Sequence, residues 1–183
     1  MKKTILPFIL CLFYSLASFS QFELTENGIT VIDSENDYIV YEFEGKTKED
    51  LYTSVLKTLT VKYNSAKDVL SKVENETISI NGIQADYIGA GKLLGKYLEV
   101  YDLGYNLNIS FKDAKIKIDI PTIRFPNESN GRTLHISGKG MFKTFIFKKG
   151  EVKEEDAKKR IEDFFNILIT EIKQGVENKQ DDW

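Results

Sequence analysis

Tyr105-Asn-Leu-Asn-Ile-Ser-Phe-Lys-Asp-Ala-Lys-Ile-Lys-Ile-Asp-Ile120 decides the fold class. Tyr105, Leu107, Ile109 and Phe111 alternate with polar residues, and so do Ile116, Ile118 and Ile120. Successive side chains on a strand point to opposite faces, so this period of two predicts a hairpin with one apolar face and one wet face. Lys112-Asp113-Ala114 is its tight connection. A sheet with one apolar face needs a cover, and the chain offers two amphipathic helices.

The first is expected from Thr47 to about Asn64. Thr47 is a suitable N-cap, Glu49 and Asp50 suit a first turn, and Tyr52, Val55, Leu56, Leu59 and Tyr63 form one stripe. The second begins after Lys153, where Ala157, Ile161, Phe164, Phe165, Leu168, Ile172 and Val176 share a face. Between them the reading is coarser. Tyr38–Phe43 reads as a strand, Val69–Glu74 and Thr77–Ile80 as a hairpin around Asn75, and Tyr87-Ile88 as a further strand. Leu134–Ser137 and Met141–Lys148 read as another pair, with Asn127–Gly131 a surface loop after Pro121 and Pro126. The expectation is an α+β fold: an antiparallel sheet with an N-proximal helix and a long C-terminal helix packed on one face, of helix-grip or TBP-like form.

The strand, the helix, Asn64-Ser65-Ala66-Lys67-Asp68-Val69, the hairpin and Leu107–Ile120 resemble, in that order, a domain of unknown function with a TBP-like fold found in secreted proteins of Bacteroidetes. The likeness covers about residues 37–125. Members of that family tend to carry Gly after the Asp of the turn, where positive φ is favoured, so Ala114 implies a different turn here. "TBP-like" names a shape and implies no DNA binding, and the resemblance implies no catalytic residues.

The ends bound the compartment. Met1-Lys2-Lys3, an apolar run from Ile5 to Ala17, and Ser18-Phe19-Ser20 predict a signal peptide over 1–20, with Gln21 as the mature start. The run is too short to anchor the chain across a bilayer, and Cys11 lies inside it after Leu10 rather than ending it, which argues against lipidation. The expected plan is a lead-in over 21–36 with a short strand at Ile29–Ile32, one domain over 37–177, and a frayed tail from Asn178 to Trp183. Export to the periplasm or beyond follows, with no membrane span after cleavage.

Composition excludes several functions. Cys11 is the only cysteine and leaves with the leader, taking disulfides, thiol catalysis and cysteine zinc sites with it. Lys and Arg number 25 against 28 Asp and Glu, net −3, without the basic excess that nucleic-acid binding requires. His135 is the single histidine and has no His or Cys to share a metal or a proton relay with. Gly89-Ala-Gly-Lys-Leu-Leu-Gly-Lys96 has the wrong spacing for a phosphate loop and lacks Ser or Thr after Lys96, so it reads as a flexible or bulged connection with Lys92 and Lys96 in solvent. Glu154, Glu155 and Asp156 suit a helix N-terminus, and Asp181 and Asp182 lie in the tail. No metal site, cofactor or catalytic set is expected from these residues.

What remains is an aromatic surplus, including Tyr97, Tyr101, Tyr105, Phe142, Phe145 and Phe147. The leading expectation is a non-enzymatic binding module with an unknown protein partner, gripping between sheet and last helix or through residues 126–150. The alternative is a carrier of a small apolar ligand or lipid, in a pocket lined by Tyr101, Phe145, Phe147, Phe164 and Leu168. An exposed Met141–Phe147 edge over a solid core favours the first. A hydrolase would need His135, or a buried carboxylate, inside a cleft.

Overall fold

The 105–120 hairpin lies at the heart of a computed structural model that describes residues 21–177. The predicted signal peptide and the tail from Asn178 fall outside the described residues.

In chain order the elements are β1 (Phe22–Thr25), β2 (Gly28–Val31), β3 (Tyr38–Glu42), α1 (Lys48–Lys62), α2 (Ala66–Val69), β4 (Leu70–Val73), β5 (Thr77–Leu93), β6 (Lys96–Lys112), β7 (Lys115–Asp119) and β8 (Thr122–Arg124). They continue with β9 (Glu128–Ser129), β10 (Arg132–His135), β11 (Lys143–Phe145), β12 (Phe147–Lys148), β13 (Glu151–Val152) and α3 (Glu155–Glu177). The main sheet runs β3-β7-β6-β5-β4, with β8 also on β6. All its pairings are antiparallel.

The apolar parity of the hairpin holds. Leu107, Ile109, Phe111, Ile116 and Ile118 are buried on the face that meets α1 and α3, and Ile120 packs partly buried at its margin. The core is one cluster reaching from Phe22 to Val176. α1 carries the expected stripe and a full capping box: Asp50 N–H donates to Thr47 Oγ1, and Thr47 N–H donates to Asp50 Oδ2, each at 3.1 Å.

The turn departs from expectation. Ala114 adopts φ +59° and so keeps the left-handed conformation that the family's glycine would take. Tertiary hydrogen bonds hold it there: Ala114 N–H donates to Lys46 O at 2.9 Å, and Phe43 N–H donates to Ala114 O at 2.8 Å. Lys48 N–H also donates to Asp113 Oδ1 at 2.9 Å, tying the turn to the start of α1. Ala114→Gly should therefore stabilise the protein by about 0.5–1 kcal/mol, the left-handed strain relieved less the extra entropy of an unfolded glycine. Urea unfolding checks this, and an unchanged midpoint would mean that the turn carries no strain.

Four other expectations change. Tyr87-Ile88 is not a separate strand, and Gly89–Gly95 is not a flexible connection: both belong to the long β5, which bulges between Gln84 and Ile88 and then pairs on to Leu93. The connection shrinks to Leu94-Gly95. Gly89 lies where a Cβ would stand 2.4 Å from the Tyr97 ring, so the glycine makes room for an aromatic rather than flexibility. Lys92 is not simply solvated: it pairs with Asp156 at the start of α3 and lies over the Tyr97 ring. Val69 ends the short α2, and the β4 strand begins only at Leu70.

The 21–36 stretch contains more than its expected short strand. β1 and β2 form a hairpin that buries Phe22, Leu24 and Ile29. It is clasped to α3, where Leu24 N–H donates to Glu162 Oε1 at 2.9 Å and Gln21 N–H donates to Asn166 Oδ1 at 2.7 Å.

Candidate functional site

Residues 127–148 form a small second layer of structure against the free edge of β6. Beyond β8, that edge is met by side chains instead of a strand ladder. Asp102 N–H donates to Asn127 Oδ1 at 2.7 Å, Val100 N–H donates to Ser129 Oγ at 2.9 Å, and Asn130 Nδ2 donates to Leu98 O at 2.5 Å. These bonds satisfy backbone groups that would otherwise stay unpaired at a sheet edge. They also fix the start of the three-stranded sheet β9-β10-β11, in which β11 runs parallel to β10.

A buried carboxylate ties this small sheet to β6. Glu99 is only 8% exposed and has the parity of the apolar residues Tyr101 and Leu103. It accepts from Tyr101 Oη at 2.7 Å and from Thr144 Oγ1 at 2.5 Å, and Arg132 Nε lies 3.5 Å away. Buried charge is tolerated when paired and hydrogen-bonded, as here. Burial foremost pushes the Tyr101 hydroxyl up to about 12, so it stays protonated and donates. With its donors supplied by its own chain, Glu99 ties the small sheet to β6.

The tie leaves a loop standing out. Leu134, Ile146 and Phe147 enter the core, anchored by Ile146 N–H to His135 O at 3.0 Å and Phe147 N–H to Ile136 O at 2.8 Å. Between the anchors, Met141 and Phe142 are 85% and 72% exposed. The predicted strand over Met141–Lys148 is thus divided into an exposed tip, the short β11 and the short β12.

His135 lies in a depression of about 390 Å³ shared with Arg124, Phe125 and Ile136. Its Nε2 is 2.8 Å from Thr133 Oγ1, and its ring tilts against Phe145 at 5.8 Å. Burial, and then the charge of Lys143, lower its pKa from the ordinary 6.5. A lowered folded-state value means that the unfolded chain binds more protons on acidification. The contribution is complete above the unfolded value and is lost as pH falls through the folded one. Unfolding between about pH 7.5 and about pH 5 should show stability falling toward acid, with His135→Gln flattening that part of the slope. An unchanged slope in the variant would remove His135 from the account.

The residues expected to line a ligand pocket are dispersed through the packing. Tyr101 belongs to the Glu99 network, and Phe145 lies beside His135. Phe147 and Leu168 are in the core. Phe164 is partly buried, edge-on to Tyr105 at 4.9 Å and to Phe165 at 5.1 Å. A depression of about 480 Å³ lies elsewhere, on the outer sheet face around Tyr38, Val40, Lys112 and Lys117. Another of about 280 Å³ lies at the start of α3 around Gly91, Tyr97 and Glu154. None of these three depressions includes any of the five predicted residues. Sequence reading passed over Glu99, although its place in the run Tyr97-x-Glu99-x-Tyr101-x-Leu103 was the available signal.

An antiparallel sheet with its helices on one face and a long closing helix defines an α+β domain of the TBP-like class. Among solved structures the chain is similar to a TBP-like protein from Parabacteroides distasonis ATCC 8503. The TM-score is 0.51 at 13% identity, over 78% of this chain and 92% of that one. It is also similar to a DUF4468 family protein from Bacteroides ovatus ATCC 8483, with a TM-score of 0.48 at 14% identity, over 80% and 88% of the two chains. No family model matches the chain, and no curated protein does. The first likeness bears out the TBP-like expectation at the level of fold.

Proposed function

We propose that this protein is a non-enzymatic binding module of the cell envelope, exported by its N-terminal leader, which grips its partner through the 126–150 region. The carrying observation is the pairing of an exposed Met141-Phe142 tip with a base held by the buried Glu99 network. Large apolar side chains kept in water on a fixed support are the signature of a surface that is covered in use. The burial of Phe147, Leu168 and Tyr101 supports this reading over the apolar-ligand carrier, whose pocket they would have to line.

The test places a photoreactive benzoylphenylalanine at Phe142 in cells, with Val61 on α1, which is 82% exposed, as the control. The expected result is an adduct, protein or lipid, at Phe142 and none at Val61. Equal labelling at both positions removes the special status of the tip. A bound small molecule seen by non-denaturing mass spectrometry and lost on denaturation, with no adduct at Phe142, returns the carrier reading.

A further inference from the structure

The loop carrying Met141-Phe142 points to the same end of the molecule as a second apolar tip. Asn130 is bonded to Leu98 O, and Thr133 pairs with Lys143, so the chain before β11 returns to the level of Leu98. From that end of β6 the hairpin continues outward to Leu94-Gly95. Leu94 is 96% exposed at φ +51°, and Leu93 and Leu98 are exposed beside it. Two-residue turns of this hand ordinarily take Asn, Asp or Gly. Leucine there strains the backbone and packs on nothing among the described residues, so folding gives no reason for it.

Lysines flank both tips. Lys92 and Lys96 bracket the first, and Lys139 and Lys143 the second. Residues 138–150 hold four lysines and no acid, in a chain whose net charge is −3. Lys96, Lys139 and Lys143 are exposed and make no ion pair among the described residues. Nearby acids are largely engaged: Glu154 accepts Gly91 N–H, Asp156 takes Lys92 and the Tyr97 hydroxyl, and Glu151 takes Lys153, leaving Glu155 in solvent.

We propose that this end of the molecule docks on an anionic lipid surface, Leu93-Leu94 and Met141-Phe142 entering the headgroup–acyl boundary while Lys96, Lys139 and Lys143 meet lipid phosphates. The proposal rests on the binding-module reading and names its partner. Apolar groups at the interface plane ringed by Lys are the chemistry of peripheral membrane attachment, which takes several weak signals together. It requires no spanning segment, and among the described residues no helix is long and apolar enough to cross a membrane.

Co-sedimentation of the chain from Gln21 onward with phosphatidylglycerol-containing vesicles, against pure phosphatidylcholine, is the experiment. Binding should favour the anionic vesicles and fall with added salt. Leu94→Asn and Phe142→Ser should each weaken it about tenfold, and Val61→Ser should not. Asn is at home at positive φ, so the Leu94 variant should fold at least as well as the parent, which circular dichroism checks. Absence of binding to anionic vesicles, or binding that survives the double substitution, overturns the proposal. A protein adduct at Phe142 in that case leaves the module reading standing without the membrane.

Discussion

Gly82→Val should destabilise the protein by about 2–3 kcal/mol, although valine is the better strand former. Gly82 faces Tyr105 across the β5–β6 ladder, and a Cβ at Gly82 would stand 2.4 Å from both Cζ and Oη of that ring. A ring tip can often swing away, but this one is fixed on three sides. Its hydroxyl shares a hydrogen bond of 2.8 Å with Tyr63 Oη, and its ring is edge-on to Phe164 and to Phe165 at 5.7 Å. Displacing it would separate α1's C-cap residue from the sheet and open the seat of α3. The propensity gain of about 1 kcal/mol is therefore outweighed by overpacking. Urea unfolding measures the loss, and Gly82→Val should cost much less when made in a Tyr105→Leu background, because the smaller side chain vacates the glycine's face. A single valine variant as stable as the parent would show that the ring has somewhere else to go.

The Gly82–Tyr105 pair also marks where sequence reading stops. Tyr105 was legible as a core residue because alternation needs only neighbours in sequence, and the same holds for the stripes of α1 and α3. What Tyr105 lies against depends on register over a loop, and a glycine has no side chain to betray its face. The β1–β2 hairpin was legible only as a short strand for a related reason: its cover is α3, far along the chain, through Glu162 and Asn166. Gly89 was misread because a glycine-rich run looks alike whether it serves a loop or leaves space for Tyr97. Of the proposed site, the lysine-flanked apolar pairs were visible as residues. Their meeting at one end needed the parallel β10–β11 register.

Glu99→Ala should cost about 2–3 kcal/mol and should loosen the small sheet before the large one. The substitution leaves the Tyr101 and Thr144 hydroxyls without their shared acceptor and removes the partner of Arg132, which is itself half in solvent and so adds little. Hydrogen exchange should then quicken across 128–145 while 105–120 stays protected, because β6 keeps its ladder with β5 and β7. Glu99→Gln should be milder, about 1 kcal/mol, since both hydroxyls donate to Glu99 Oε2 and an amide oxygen in that place still accepts from them. The two variants separate a tie from a reagent. A tie predicts that the Glu99→Gln protein keeps the Phe142 adduct and that the Glu99→Ala protein loses it together with order in the loop. Loss of the adduct in both, with exchange unchanged in both, would mean that the charge of Glu99 itself meets the partner. The exposed tip depends on this buried carboxylate because Met141 and Phe142 have no packing of their own: their position is set by Thr144 on one side and by Thr133 N–H to Phe142 O, 3.4 Å, on the other.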